Sequence, residues 1–506
     1  MMGTLCSKAG FFNLLVLGIV SVTNNFIILV YYEIEWIFVY SGGFQLRFRS
    51  SEERARAMGT MKIPSLLIGL SIPSIVAMLT NAIYNLVDTF FIGRIGTSAV
   101  GAVAVAFPIF NLIGAVGLTY GVGAASYVSR LLGAGDKKQA DKAASTALFT
   151  SFATGIAFTI LGLTFLDPLL TAFGATDTIM EYAREYTMII IMGSIFTMMN
   201  MTMNNLVRAE GNAQRFMVAM VSGALLNVAL DPVFIFGFGM GITGAAVATV
   251  ISQSVSTMII LEYFVRKKSY TNLSIRLYRF SIQIYSEIFK IGLPTFLRQS
   301  LSSFAVALLN NAAGDYGDHA VAAVGITMRV LMLGMMVLFG YGQAFQPVAG
   351  YNYGAKKFSR VFEALRFSVI VTTVFATVFA IIGLTIPGSI ISIFSNDPEV
   401  IDVGSRAFRA VNIFFPTFGF VITFTVLFQA LGKGFAAGLL SMSKQGFFLI
   451  PAILFLPRIF GLNGVIYSQT VADFFTLFVA AILAVAIVKK LKSQSKEFSL
   501  VEEGRQ

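Results

Sequence analysis

Asp88 and Asp231 each stand inside a long apolar stretch. An ionised side chain in a membrane helix costs about 2.5–3.5 kcal/mol on insertion scales, so each is a functional candidate by default. Asn81 and Tyr84 precede Asp88 at steps of three and four residues, which puts all three on one helical face, with Asn85 beside them. Asn227 precedes Asp231 by four residues, again on one face, and Pro232 follows. A proline in a helix interior withdraws the N–H that the carbonyl of Val228 would use. If the next helix starts near Gly241, Thr249 lies roughly 12 Å inside it. Two carboxylates in one low-dielectric pocket cannot both ionise cheaply, so such a pair can take a proton from one side and release it on the other. The same oxygens, with Asn227, Thr249 and a carbonyl, would equally hold Na⁺, a hard cation that prefers oxygen. The blander roles are a kink bracket for Asp231, a wetted helix end for Asp88, and packing for Tyr84, Asn227 and Thr249.

Membrane helices must position these residues. The 506 residues are 56% hydrophobic and 12% charged, about half the charge of a soluble chain. Runs long enough to cross a bilayer of about 30 Å lie at 64–92, 99–126, 142–166, 179–206, 213–237, 241–265, 291–313, 320–348, 361–386, 404–431, 434–457 and 462–488. The halves repeat. Pro73, Gly96, Ala99-Val100 and Gly133-Ala134 recur 221 residues later as Pro294, Gly317, Ala320-Val321 and Gly354-Ala355. Gly241 and Gly244 recur 220 residues later as Gly461 and Gly464. Six spans per copy give both copies one orientation. The expected fold is therefore an all-α polytopic membrane protein, twelve helices in two parallel six-helix lobes, with a pseudo-twofold axis along the membrane normal. The lobes are expected at 58–265 and 291–488, with a linker at 266–290 and a basic tail at 489–506. Two similar halves that enclose a site between them is the plan of a secondary transporter. The copies differ where chemistry would sit: Leu309 and Ile450–Ala452 stand opposite Asp88 and Asp231.

The net charge of +11 is explained by its location. Arg130, Lys137, Lys138 and Lys142, then Arg266 to Arg279, then Lys356, Lys357 and Arg360, and Lys489, Lys490 and Lys492 all fall on one side of the predicted spans. Acid-rich loops with Asp167, Asp177, Glu181, Asp315, Asp318, Asp397, Glu399 and Asp402 fall on the other. The positive-inside rule makes the basic side cytoplasmic, with both ends of the twelve-helix core there. A single cysteine, Cys6, and a single histidine, His319, exclude a disulfide framework and a His/Cys metal cluster. They leave little for a membrane enzyme to work with. No phosphate-binding loop is present; Gly432-Lys433-Gly434 lacks both the leading glycine and the Ser/Thr. Energy is expected from an ion gradient, and no cofactor is expected. A channel would instead show ion current without substrate coupling.

Residues 1–57 fall outside the repeat. Phe11–Tyr32 is apolar enough for a thirteenth span or a signal-type segment, though Thr23, Asn24 and Asn25 interrupt it. The preferred expectation is translation from Met58 or Met61.

Three stretches in order carry a resemblance: Tyr84-Asn85-Leu86-Val87-Asp88-Thr89, the Gly123 to Asp136 segment with Arg130 and Gly133, and Asn227-Val228-Ala229-Leu230-Asp231-Pro232. They resemble the multidrug and toxic compound extrusion (MATE) family, in its MepA-like bacterial branch, across residues 62–490. The resemblance implies twelve helices around a V-shaped central cavity, alternating access by lobe rocking, and export of amphipathic, often cationic drugs against inward H⁺ or Na⁺. It also implies a cation site in the first lobe on Tyr84, Asp88, Asn227, Asp231 and Thr249. Another branch of the family carries acids in the seventh and tenth spans. Here the seventh has Arg298 and the tenth has no acid at mid-membrane, so a second-lobe Na⁺ site is not expected.

Arg298 and Asp473 lie at similar depths and are expected to form an ion pair in the second lobe. Otherwise Arg298 snorkels and Asp473 lines the cavity. Gln343, Asn310, Gln299, Asn311, Gln346, Gln429 and Gln445 are cavity candidates, or interhelical glue. Lys433 and Lys444 are expected to snorkel at loop edges. Phe107, Phe110, Phe196, Met199 and Met203 would suit an adaptable cavity. The alternative function is a lipid-linked saccharide flippase of the same superfamily. Its anionic diphosphate would need several inward cations, and Arg298 is the clear one. A cell-membrane monomer is expected.

Overall fold

The computed structural model describes Phe48 and residues 50–503, with side chains described to 496. The apolar stretch Phe11–Tyr32 lies outside the described residues. An amphipathic helix, α1 (Ser51–Thr60), opens with Ser50 accepting a hydrogen bond from the amide of Glu53 at 3.1 Å. The first lobe follows: α2 (Ile63–Gly93), α3 (Thr97–Gly133), α4 (Lys137–Thr164), a short α5 (Leu166–Ala172), α6 (Asp177–Met192), α7 (Ser194–Ala209), α8 (Ala213–Pro232) and α9 (Gly241–Val265). The second lobe repeats it: α10 (Ile282–Gly314), α11 (Asp318–Gly354), α12 (Phe358–Thr385), a short α13 (Pro387–Ile391), α14 (Pro398–Asn412), α15 (Phe415–Ala430), α16 (Gly434–Met442), α17 (Ile450–Phe460) and α18 (Leu462–Glu503).

Each expected span is found. The fourth is α6 and α7 bent by 47°, and the tenth is α14 and α15 bent by 49°. The seventh, α10, starts at Ile282 rather than at residue 291. Its first turns carry Glu287 and Lys290, so they read as linker, yet Glu287 is held by Arg130 of α3 at 2.7 Å. Pro232 and Pro451 each lie beside a π-helical segment, Val233–Gly237 after α8 and Ser443–Leu449 before α17. Such widened turns mark places where the regular hydrogen-bond ladder is interrupted.

The repeated residues do the same work in both lobes. Gly96 (φ 146°) opens α3 and Gly317 (φ 95°) opens α11, in backbone conformations that a side chain disfavours. Ile63 of α2 packs in the second lobe's core with Phe345 and Leu427, while Ile284 of α10 packs in the first lobe's core with Val128 and Ile260. These two isoleucines are 221 residues apart. Each lobe thus lends the first turns of its first helix to the other. Glycines permit the crossing. A Cβ on Gly133 would meet the Tyr351 carbonyl oxygen at 1.9 Å, and one on Gly354 would meet that of Arg130 at 1.9 Å. Gly123 faces Ile288 and Gly292 faces Thr119 in the same reciprocal way. In a bilayer the lipid is as apolar as leucine, so this close packing of small residues holds helix to helix. These close inter-lobe approaches sit at the end of the bundle that carries the basic loops.

Candidate functional site

The first lobe brings the expected cation residues together. Asp231 is fully buried, and Asn227 is 2% exposed. The helical step between them sets Asn227 Nδ2 3.3 Å from Asp231 Oδ1. α9 then delivers Thr249, whose Oγ1 accepts from the same amide at 3.5 Å. From α2, the Asp88 carboxyl lies within hydrogen-bonding reach of Asp231, and Tyr84 lies beside both acids. Asn81 and Asn85 instead tie to each other along α2, Asn85 Nδ2 donating to the Asn81 carbonyl at 2.7 Å. Tyr186 of α6 is also buried within electrostatic reach of Asp88, Asp231 and Tyr84. Sequence reasoning missed it. Its own stretch, Glu185-Tyr186-Thr187, has no helical partner spacing to single it out.

The hydrogen-bond supply of this pocket falls short of its demand. Asp88 Oδ1, Asn227 Oδ1 and Asp231 Oδ2 are buried and have no partner. A carboxylate and an amide oxygen each accept through two lone pairs, so the pocket presents a surplus of oxygen acceptors. A proton shared between the carboxyls, or a small hard cation, is the chemistry that such a donor set accepts. Among the described residues no group of three His, Cys, Asp or Glu could hold a tightly bound metal.

The second lobe differs. Leu309 and Ala452 occupy the positions opposite Asp88 and Asp231, and both are buried in apolar surroundings. Asp473 does not pair with Arg298. Its carboxylate holds Lys444 Nζ at 2.7 Å, and this ammonium lies 4.8 Å from the centre of the Phe418 ring. Lys444 is therefore no loop-edge lysine. It lies ten residues after Gly434, about 15 Å into the span, in the π-helical segment. Equal depth set Arg298 and Asp473 level, but the rotation of the helices about their axes chose the partner. Arg298 lies over the Phe339 ring at 5.9 Å. Gln343 reaches Met78 Sδ of the first lobe at 3.3 Å, with Oε1 unpaired. Asn310 is exposed on α10. Of the adaptable apolar residues, Phe107 is 56% exposed, whereas Met203 is wholly buried in the first lobe's core and lines nothing.

The duplication decides the family. One family model, MatE, matches residues 73–233 and again 294–452, more than half of the chain. The chain belongs to the MatE family. Relatives include the multidrug export protein MepA of Staphylococcus haemolyticus (strain JCSC1435), 28% identical over 429 residues, or 85% of this chain and 94% of that one. MepA of Staphylococcus aureus (strain MSSA476) is 27% identical over 432 residues, covering 85% and 95%. Among solved structures, a MATE in complex with MaL6 superposes with a TM-score of 0.83 at 26% identity, covering 88% of this chain and 100% of that one. An outward-facing multidrug resistance MATE family transporter of the MOP superfamily superposes at 0.82 and 27%, covering 89% and 100%. This MatE protein is thus a multi-pass membrane protein of the MATE transporter fold.

Proposed function

We propose that this MatE protein is a cation-coupled antiporter that exports amphipathic, often cationic compounds by alternating access. H⁺ or Na⁺ binds at Asp88 and Asp231, with Tyr84, Asn227 and Thr249 completing the site. The observation that carries this reading is the trio of partnerless oxygens on Asp88, Asn227 and Asp231. A buried acceptor without a donor costs about 1–3 kcal/mol, which an arriving proton or cation relieves. Ion binding then favours whichever lobe arrangement completes the site, and this differential affinity shifts the conformational equilibrium. The names of the MepA relatives, multidrug export proteins, support the substrate class. In this reading the basic loops face the cytoplasm, the protein is a cell-membrane monomer, and residues 58–265 and 291–488 are the rocking lobes.

A lipid-linked saccharide flippase would need several uncompensated cations for a diphosphate. Asp473 neutralises Lys444, so that lysine is not one of the uncompensated cations a diphosphate would need. The antiporter reading is therefore preferred.

The test is ethidium efflux from proteoliposomes under an imposed pH gradient or an imposed Na⁺ gradient. One gradient is expected to drive efflux by the wild type, and Asp88→Asn and Asp231→Asn are expected to abolish it. If neither gradient moves a cationic dye, drug export is the wrong reading.

A further inference from the structure

We propose that Arg298 is a subsite for a substrate carboxylate, set beside an aromatic platform made by Phe339 and Phe418. The inference rests on the exporter reading and names the residue that would hold the acidic end of a zwitterionic aromatic substrate.

Arg298 points into the second lobe. It continues the α10 stripe of Ile291, Thr295, Ala305 and Leu309, all buried, and it lies away from the exposed stripe of Leu293, Leu297 and Phe304. A snorkelling arginine would run along the helix to an interface. This one instead stops over the Phe339 ring, at 5.9 Å. Phe339 packs edge-on against Phe418 at 6.2 Å, and the far ring of that pair carries Lys444 at 4.8 Å. Two cations therefore flank one aromatic pair, and the carboxylate nearby, Asp473, does not pair with Arg298. It is committed to Lys444 at 2.7 Å.

Among the described residues Arg298 makes no hydrogen bond or ion pair. Arg298 is half-buried rather than fully enclosed. A planar fork of five donors matches a carboxylate in two parallel hydrogen bonds. The cation face of a substrate aromatic system has rings to lie on. A merely structural position would be filled more stably by methionine or leucine, because an uncompensated charge at this depth is costly. The first lobe supplies acids and the second supplies a free guanidinium, so the two halves offer opposite charges to the two ends of one substrate.

The experiment compares a zwitterionic rhodamine with a free benzoate and its ethyl ester, a pair that differs in the carboxylate alone. Efflux from proteoliposomes is measured for wild type, Arg298→Met and Arg298→Lys, together with dye binding to the detergent-purified proteins by fluorescence polarisation. Arg298→Met is expected to lower efflux and binding of the free acid by about tenfold or more, the scale of a lost charge-assisted hydrogen bond. The ester should change by less than about twofold, and Arg298→Lys should restore part of the free-acid binding. Retained ester efflux is the control for folding. Equal loss of both dyes, no change in either, or failure of the wild type to bind the free acid overturns the proposal. If wild type moves neither dye but Arg298→Met selectively loses free-acid binding, the subsite stands and the exporter reading falls.

Discussion

At the scale of single residues, the two lobes solve the same problem in different ways. The first leaves acceptor oxygens open at Asp88, Asn227 and Asp231. The second closes its carboxylate, Asp473, on Lys444. Removing one partner of a buried pair strands the other, at about 3–5 kcal/mol, whereas replacing both with apolar groups is often neutral. Lys444→Met alone is therefore expected to lower the Tm of the detergent-solubilised protein. Adding Asp473→Leu should bring it most of the way back. A double variant no better than the single one would show that the pair does more than neutralise itself. At the cation site, Tyr186→Phe keeps the ring and removes one hydroxyl beside the acids. It is expected to weaken gradient-driven ethidium efflux several-fold and to lower the Tm by no more than a few degrees, since one hydroxyl is worth about 1 kcal/mol net. Unchanged efflux would place Tyr186 among the packing residues.

At the scale of helices, glycine placement decides how closely the lobes approach. Gly133 and Gly354 hold α3 and α11 together at the basic end, each facing a carbonyl of the other helix where a Cβ would meet oxygen at 1.9 Å. Backbone cannot yield as a flexible side chain does, so Gly354→Val must push the two helices apart. The expected outcome is a protein that still inserts and purifies but exports ethidium at least tenfold more slowly, with Arg130 and Glu287 no longer within ion-pair distance. Spin labels on α3 and α11 would read the separation. Normal efflux together with an unchanged distance would refute this role for the contact.

For the whole molecule, the charge on the loops predicts an orientation. Arg130, Lys137, Lys356 and Lys357 surround the end where the lobes interlock. With Cys6 replaced by serine, a cysteine introduced at Gly135 is expected to resist a membrane-impermeant maleimide in intact cells, and one at Gly174 to react. The reverse pattern would invert the topology and the direction of transport. Stoichiometry sets the energy available. One proton exchanged for one monovalent cation moves no net charge, while a second ion adds about 2.3 kcal/mol per 100 mV.

Local spacing was enough to read most of this protein. Four-residue steps put Tyr84 with Asp88 and Asn227 with Asp231, because a helix fixes its own faces whatever lies around it. Apolar length fixed the spans, and the 221-residue repeat gave the two parallel lobes. Even α10, whose span carries Arg298 and several amides, was legible through its counterpart α2. Partner choice across helices was decided only by the tertiary structure. Depth along an axis follows from residue count, but rotation about that axis follows from packing. Asp473 therefore meets Lys444 while Arg298, level with it by count, turns to Phe339. The same reason hid Tyr186, which reaches the acids from a different helix, and hid the exchange of Ile63 and Ile284 between lobes, which needs the whole bundle in place.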